Sequence, residues 1–99
     1  MTQEELQNAF DDFNEKFWDG KIDFKVRVIP NRKTFKGQTW LDRGIIDICD
    51  GREDWIPTLL HEMCHAYTDE AHTPKWRAEV ERIEKLTGYD LNKHPYSSH

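Results

Sequence analysis

The sequence predicts an α+β domain of three helices and three short strands. Apolar residues recur at helical spacing in three separate stretches, and they alternate with a period of two between Ile22 and Ile29. Turn-forming residues at Gly20, Pro30-Asn31, Asp42-Arg43-Gly44 and Asp50-Gly51 punctuate these stretches. A chain of 99 residues has room for one hydrophobic core, so residues 1–99 read as a single domain with an irregular tail at 89–99.

The first helix is announced by Thr2 and Glu5 at capping-box spacing, followed by Leu6, Phe10, Phe13 and Phe17 on one stripe, and Gly20 ends it. From Ile22 the alternation of Ile22, Phe24, Val26 and Val28 with Asp23, Lys25 and Arg27 describes a strand with one buried face. A weaker strand is expected within Thr34 to Leu41, interrupted or bulged at Gly37, and a third from Ile45 to Cys49. Asp54 can cap a second helix with Pro57 in its first turn. Leu59, Leu60, Met63, Cys64 and Tyr67 make that helix too apolar for a surface position, so it should lie buried against the sheet. Thr73-Pro74 opens a third helix, which carries Trp76, Val80, Ile83 and Thr87 on one stripe and stops at Gly88.

Composition narrows the class of function. Twelve aromatic residues (Trp 4, Phe 5, Tyr 3) argue for an ordered core despite 33% charged residues. Met1-Thr2-Gln3-Glu4-Glu5 is acidic where a secretion signal is basic, and no apolar run approaches the roughly 18 residues of a membrane span. The expectation is a cytoplasmic chain with no membrane contact. Two cysteines, Cys49 and Cys64, are too few for a disulfide framework and read as reduced thiols. The net charge of −5 excludes a uniformly basic coat, yet residues 25–43 hold six bases against Asp42 alone. That segment is either a solvated face or a contact for DNA.

The chemistry is concentrated in His61-Glu62-Met63-Cys64-His65, an HExxH sequence on the second predicted helix. Histidines four positions apart differ by about 40° around a helix axis, so both imidazoles can face one metal ion. Zinc suits imidazole nitrogen, and Glu62 stands where it can take a proton from water activated by the metal. A catalytic zinc usually has three protein ligands. His72, seven residues after His65 and directly before the cap of the third helix, is the leading candidate for the third; the alternative is a glutamate on that helix, Glu79, Glu81 or Glu84. Cys64 lies off the line of the two histidines and reads as packing. Trp18, Trp40, Trp55 and Trp76 read as core anchors rather than as a base-stacking platform.

Leu59-Leu60-His61-Glu62-Met63-Cys64-His65-Ala66-Tyr67 followed by His72-Thr73-Pro74-Lys75-Trp76 resembles the core of the SprT-like (Spartan-related) zinc metalloprotease family. The segment Phe13 to Lys21 is similar to that family's first helix and its exit. The resemblance implies zinc held by His61, His65 and His72, Glu62 as the catalytic base, and a zincin-like fold with helices on a small, mainly antiparallel sheet. The resemblance is to a minimal version: Thr73 stands where the family has glycine, and a domain without a zinc ribbon is expected.

The reaction expected is hydrolysis of a peptide bond in a protein or peptide substrate, without a covalent intermediate. The substrate could add as a strand along a sheet edge, expected near Ile45 to Cys49. Tyr67, Tyr89, His94 and Tyr96 are the candidates for stabilising the oxyanion. The rival reading is a DNA-associated binding module, touching DNA through residues 25–43, in which zinc only holds a small fold together.

Overall fold

The structure, a computed structural model, describes residues 1–91; the tail beyond, with the candidate residues His94 and Tyr96, lies outside the described residues. Its elements are α1 (Gln3–Trp18), β1 (Lys25–Ile29), β2 (Gly37–Trp40), β3 (Ile45–Cys49), α2 (Trp55–Thr68) and α3 (Pro74–Thr87). The expected α+β class holds, and so does the count of three helices and three strands among the described residues.

Helix α1 starts with the expected reciprocal cap. Glu5 N donates to Thr2 Oγ1 at 3.1 Å, and Thr2 N donates to Glu5 Oε1 at 2.8 Å. Its buried stripe is Leu6, Phe10, Asn14 and Trp18 rather than one ending in Phe13 and Phe17, which are half-buried and stack on each other at 5.9 Å. Asn14 takes a core position because its amide replaces a strand partner. It donates to Ile22 O at 2.9 Å and accepts from Ile22 N at 3.0 Å, so the segment at Ile22, expected as strand, is bonded to a side chain. Gln3 does the same for β1: it donates to Val26 O at 2.8 Å and accepts from Val28 N at 2.9 Å. The outer edge of β1 is thereby covered.

The sheet has the order β1-β3-β2, with β1 parallel to β3 and β2 antiparallel to it, so it is mixed and not mainly antiparallel. The reason lies in burial. Ile46 to Cys49 is the most deeply covered run of the sheet, and such a strand belongs in the centre, flanked on both sides. Being central, β3 has no open edge for a substrate, which corrects the expectation that a peptide would pair near Ile45 to Cys49.

Register sorts the two faces. Val26, Ile46 and Thr39 form one row toward the helices, while Arg27, Asp47 and Gln38 form the next row on the opposite face. Helix α2 sits on β2 and β3, where Gly37 permits close approach: a Cβ there would meet Thr58 Cγ2 at 2.9 Å. Gly37 therefore opens β2 instead of interrupting it. Leu59, Leu60 and Met63 are fully buried between the sheet and α3, each stabilising the fold by about 1.5–3 kcal/mol. Tyr67, expected in that buried set, is exposed at the edge of α2 beside Trp18. Asp54 occupies the N-cap position of α2 but makes no side-chain capping bond; its carboxylate pairs with Lys36. Helix α3 is capped by Thr73 Oγ1, which accepts from Trp76 N at 3.3 Å, and Gly88 ends it at φ +80°.

Candidate metal centre

His61 and His65 lie one turn apart on the buried side of α2. Asp69 ends that helix in the left-handed conformation, and Thr73 starts α3 four residues later. The short turn between these two caps carries His72 back toward α2. Ring centroids are 5.1 Å apart for His61 and His65, 5.0 Å for His65 and His72, and 5.9 Å for His61 and His72. One nitrogen from each ring lies within 4.8 Å of the other two, and among the described residues this trio is the one grouping of histidine, cysteine and carboxylate side chains fit to hold an ion.

Two carbonyls orient the rings. His61 Nδ1 lies 2.8 Å from Leu91 O, and His65 Nδ1 lies 2.8 Å from Glu70 O. A carbonyl only accepts, so Nδ1 of each ring carries the proton and Nε2 presents its lone pair, the tautomer a metal ligand requires. Trp76 forms the floor. Its ring stacks on His65 at 4.8 Å and 14°, and meets His61 and His72 edge-on at 5.1 and 4.5 Å. It is a core anchor, as expected, and also a wall of the site, which a stripe of apolar residues does not reveal.

Glu62, next in sequence to His61 on α2, is fully buried. Its Oε1 accepts from Thr39 Oγ1 at 2.7 Å, while Oε2 has no hydrogen-bond partner among the described residues. Burial pushes its carboxyl well above the usual carboxylate range, and the Thr39 hydrogen bond offsets only part of that. Three imidazoles brought together, two of them in the tautomer that presents Nε2, are a donor set that fits a divalent cation with nitrogen preference.

The other candidates are placed elsewhere. Glu79 accepts from Trp18 Nε1 at 2.6 Å and pairs with Arg82, and Glu84 accepts from Leu91 N at 2.8 Å. Cys64 is buried, and burial together with the Glu79 carboxylate raises its thiol well above the ordinary value, in keeping with a packing role. Tyr67 and Tyr89 are exposed. In the basic segment, Arg27 pairs with Asp47, Lys36 with Asp54, and Arg43 lies over the Trp40 ring at 5.0 Å. Half of its six bases are thus engaged within the chain. A cleft of about 210 Å³ lined by Thr39, Leu41, His65, Glu70 and Ala71 opens between β2 and the turn after α2. None of the described helices is long and apolar enough to cross a membrane.

The structure is similar to that of the metallopeptidase zymogen abylysin from Pyrococcus abyssi, with a TM-score of 0.55 and 17% identity over 91% of this chain and 99% of that one. The human germ cell nuclear acidic protein is 25% identical over 118 residues, covering 88% of this chain. The chain spans 17% of the length of that relative. Residues 6–96 match the SprT-like family, and with all but the ends of the sequence inside that match, the chain belongs to the SprT-like family.

Proposed function

We propose that this chain is a zinc-dependent metalloendopeptidase in which His61, His65 and His72 hold the ion and Glu62 is the general base. Family membership and the fold support a metallopeptidase. The observation that carries the finer reading is the meeting of three imidazoles, two of them from the helix that also bears a buried carboxylate with one oxygen unengaged among the described residues. When bound, zinc supplies Lewis acidity, which makes water nucleophilic near neutral pH and polarises the scissile carbonyl.

The residues of the chain do the rest. Glu62 Oε2 takes the proton of the attacking water and passes it to the leaving amine, while Oε1 stays held by Thr39. The raised proton affinity of the buried carboxyl suits that task. A peptide would lie along β2, the strand at the edge of the sheet, with a side chain in the cleft between Thr39 and Glu70. Among the described residues three histidines come together, whereas a purely structural zinc favours four protein ligands, which supports catalysis over a binding module.

Action on DNA-associated proteins, through the bases of segment 25–43 that remain outward, is the finer form of this proposal. Binding to single-stranded DNA should then weaken steeply with salt. The principal test measures zinc content and hydrolysis of an unfolded protein. The wild type should hold about one zinc and cleave, and Glu62→Gln should keep the metal and lose about 10²–10⁴-fold in rate. A zinc content near zero after supplementation would overturn the reading.

A further inference from the structure

The chain reverses after α3 at Gly88, and Leu91 then returns to the core with no exposed surface. Both of its backbone groups are held. Its N–H donates to Glu84 Oε2 of α3 at 2.8 Å, and its carbonyl receives the Nδ1 proton of His61 on α2 at 2.8 Å. These groups belong to different peptide units, so the link from Glu84 to His61 is mechanical: the carboxylate fixes where the Leu91 backbone lies, and that backbone fixes the ring. The corresponding carbonyl for His65 comes from Glu70, within the turn next to its own helix, and needs no distant anchor.

We propose that Glu84 is a positioning residue for the metal centre, acting through the Leu91 backbone on His61, so that the segment after α3 is a working part of the site. This rests on the reading of the three histidines as metal ligands. Without the carboxylate, the Leu91 carbonyl loses its fixed place, and the His61 ring gains freedom to rotate away from the orientation the ion needs. Glu84 touches neither the histidines' presented nitrogens nor the substrate cleft, so its effect should show in metal affinity ahead of any effect on chemistry.

The test is competition of the full chain against a chelator for zinc, with Glu84→Leu and Glu84→Gln compared with the wild type. Leucine keeps the bulk and removes the acceptor, so zinc affinity should fall by about 10–100-fold. Glutamine keeps an oxygen able to accept from Leu91 N–H, and should restore affinity to within about threefold of the wild type. A general loss of stability would not be repaired in that selective way. Wild-type affinity in Glu84→Leu, or equal weakening in both variants, overturns the proposal.

Should Glu84→Leu fail to fold, amide exchange at Leu91 in the wild type decides. Zinc locks His61 and should slow that exchange, and an unchanged rate refutes the link. A wild-type chain that takes up no zinc defeats the metal-site reading itself, an outcome distinct from a zinc-binding chain indifferent to Glu84.

Discussion

Two carboxylates are buried on opposite faces of the same sheet, and they are treated in opposite ways. Asp47, on the face away from the helices, is 2% exposed and receives four hydrogen bonds: two from Arg27, at 2.7 and 3.0 Å, and one each from Gln38 and Trp40, at 3.0 and 2.8 Å. Glu62, on the helix face, is fully buried and among the described residues receives one side-chain hydrogen bond, from Thr39. Burial raises the proton affinity of both. At Asp47 the hydrogen bonds and the Arg27 charge more than reverse it, leaving the carboxyl below its usual range, whereas at Glu62 burial prevails. A carboxylate saturated with donors ties three strands together; one left short of donors is kept ready for a proton or a cation.

Exchanging each for its amide should separate these roles. The largest effect is expected from Glu62→Gln, which costs about 3–5 kcal/mol in the barrier to hydrolysis. It should leave the metal-free fold as stable as before or more so, because the cost of burying a poorly satisfied ionisable group is removed. A thermal melt of the metal-free protein checks this, and a marked drop in midpoint would erase the contrast.

Asp47→Asn should do the reverse. Four donors would face an amide with a single acceptor oxygen, and stability at neutral pH should fall by about 1–3 kcal/mol, moderated by the half-exposed Arg27. Activity per folded molecule should stay the same. The sign of the pH dependence follows from the lowered carboxyl. The stabilisation by Asp47 is present above its unfolded value near 3.8 and is lost as pH falls through the lower folded value. Denaturant melts of the two proteins should therefore differ most above about pH 4 and converge in stronger acid. Parallel curves down to the lowest pH would contradict the assignment.

The smallest effect is expected at Thr39. Thr39→Val keeps the shape but removes the hydroxyl from Glu62, and should lower kcat about tenfold with KM and zinc content unchanged. Thr39→Ser should recover most of that loss. A matched loss in both variants would mean that strand packing, rather than the hydroxyl, is what matters.

Features with a local cause were legible in the sequence. The capping box at Thr2 and Glu5, the opening of α3 at Thr73-Pro74 and the bounds of β3 are set by residues close in the chain, and the structure has all three. The three histidines were readable as candidates because helix periodicity and the next cap determine where they point. What escaped was joined across distance. The central place of β3 depends on competition among strands for burial, and the amides of Gln3 and Asn14 serve as strand partners only once α1 lies beside β1. Thr39 and Leu91 reach the candidate metal centre from other elements, at sequence positions that carry no pattern of their own, and the stripe that marks Trp76 as a core anchor does not show that it also walls the site.

The amide of Gln3, set along β1, also limits how copies of this chain can join. A sheet open on both sides can recruit neighbours without end and grow into a ribbon, whereas one closed on one flank can accept a single visitor on the other. Any self-pairing through these strands would therefore stop at two molecules, and it would compete for β2 with the peptide proposed to lie there.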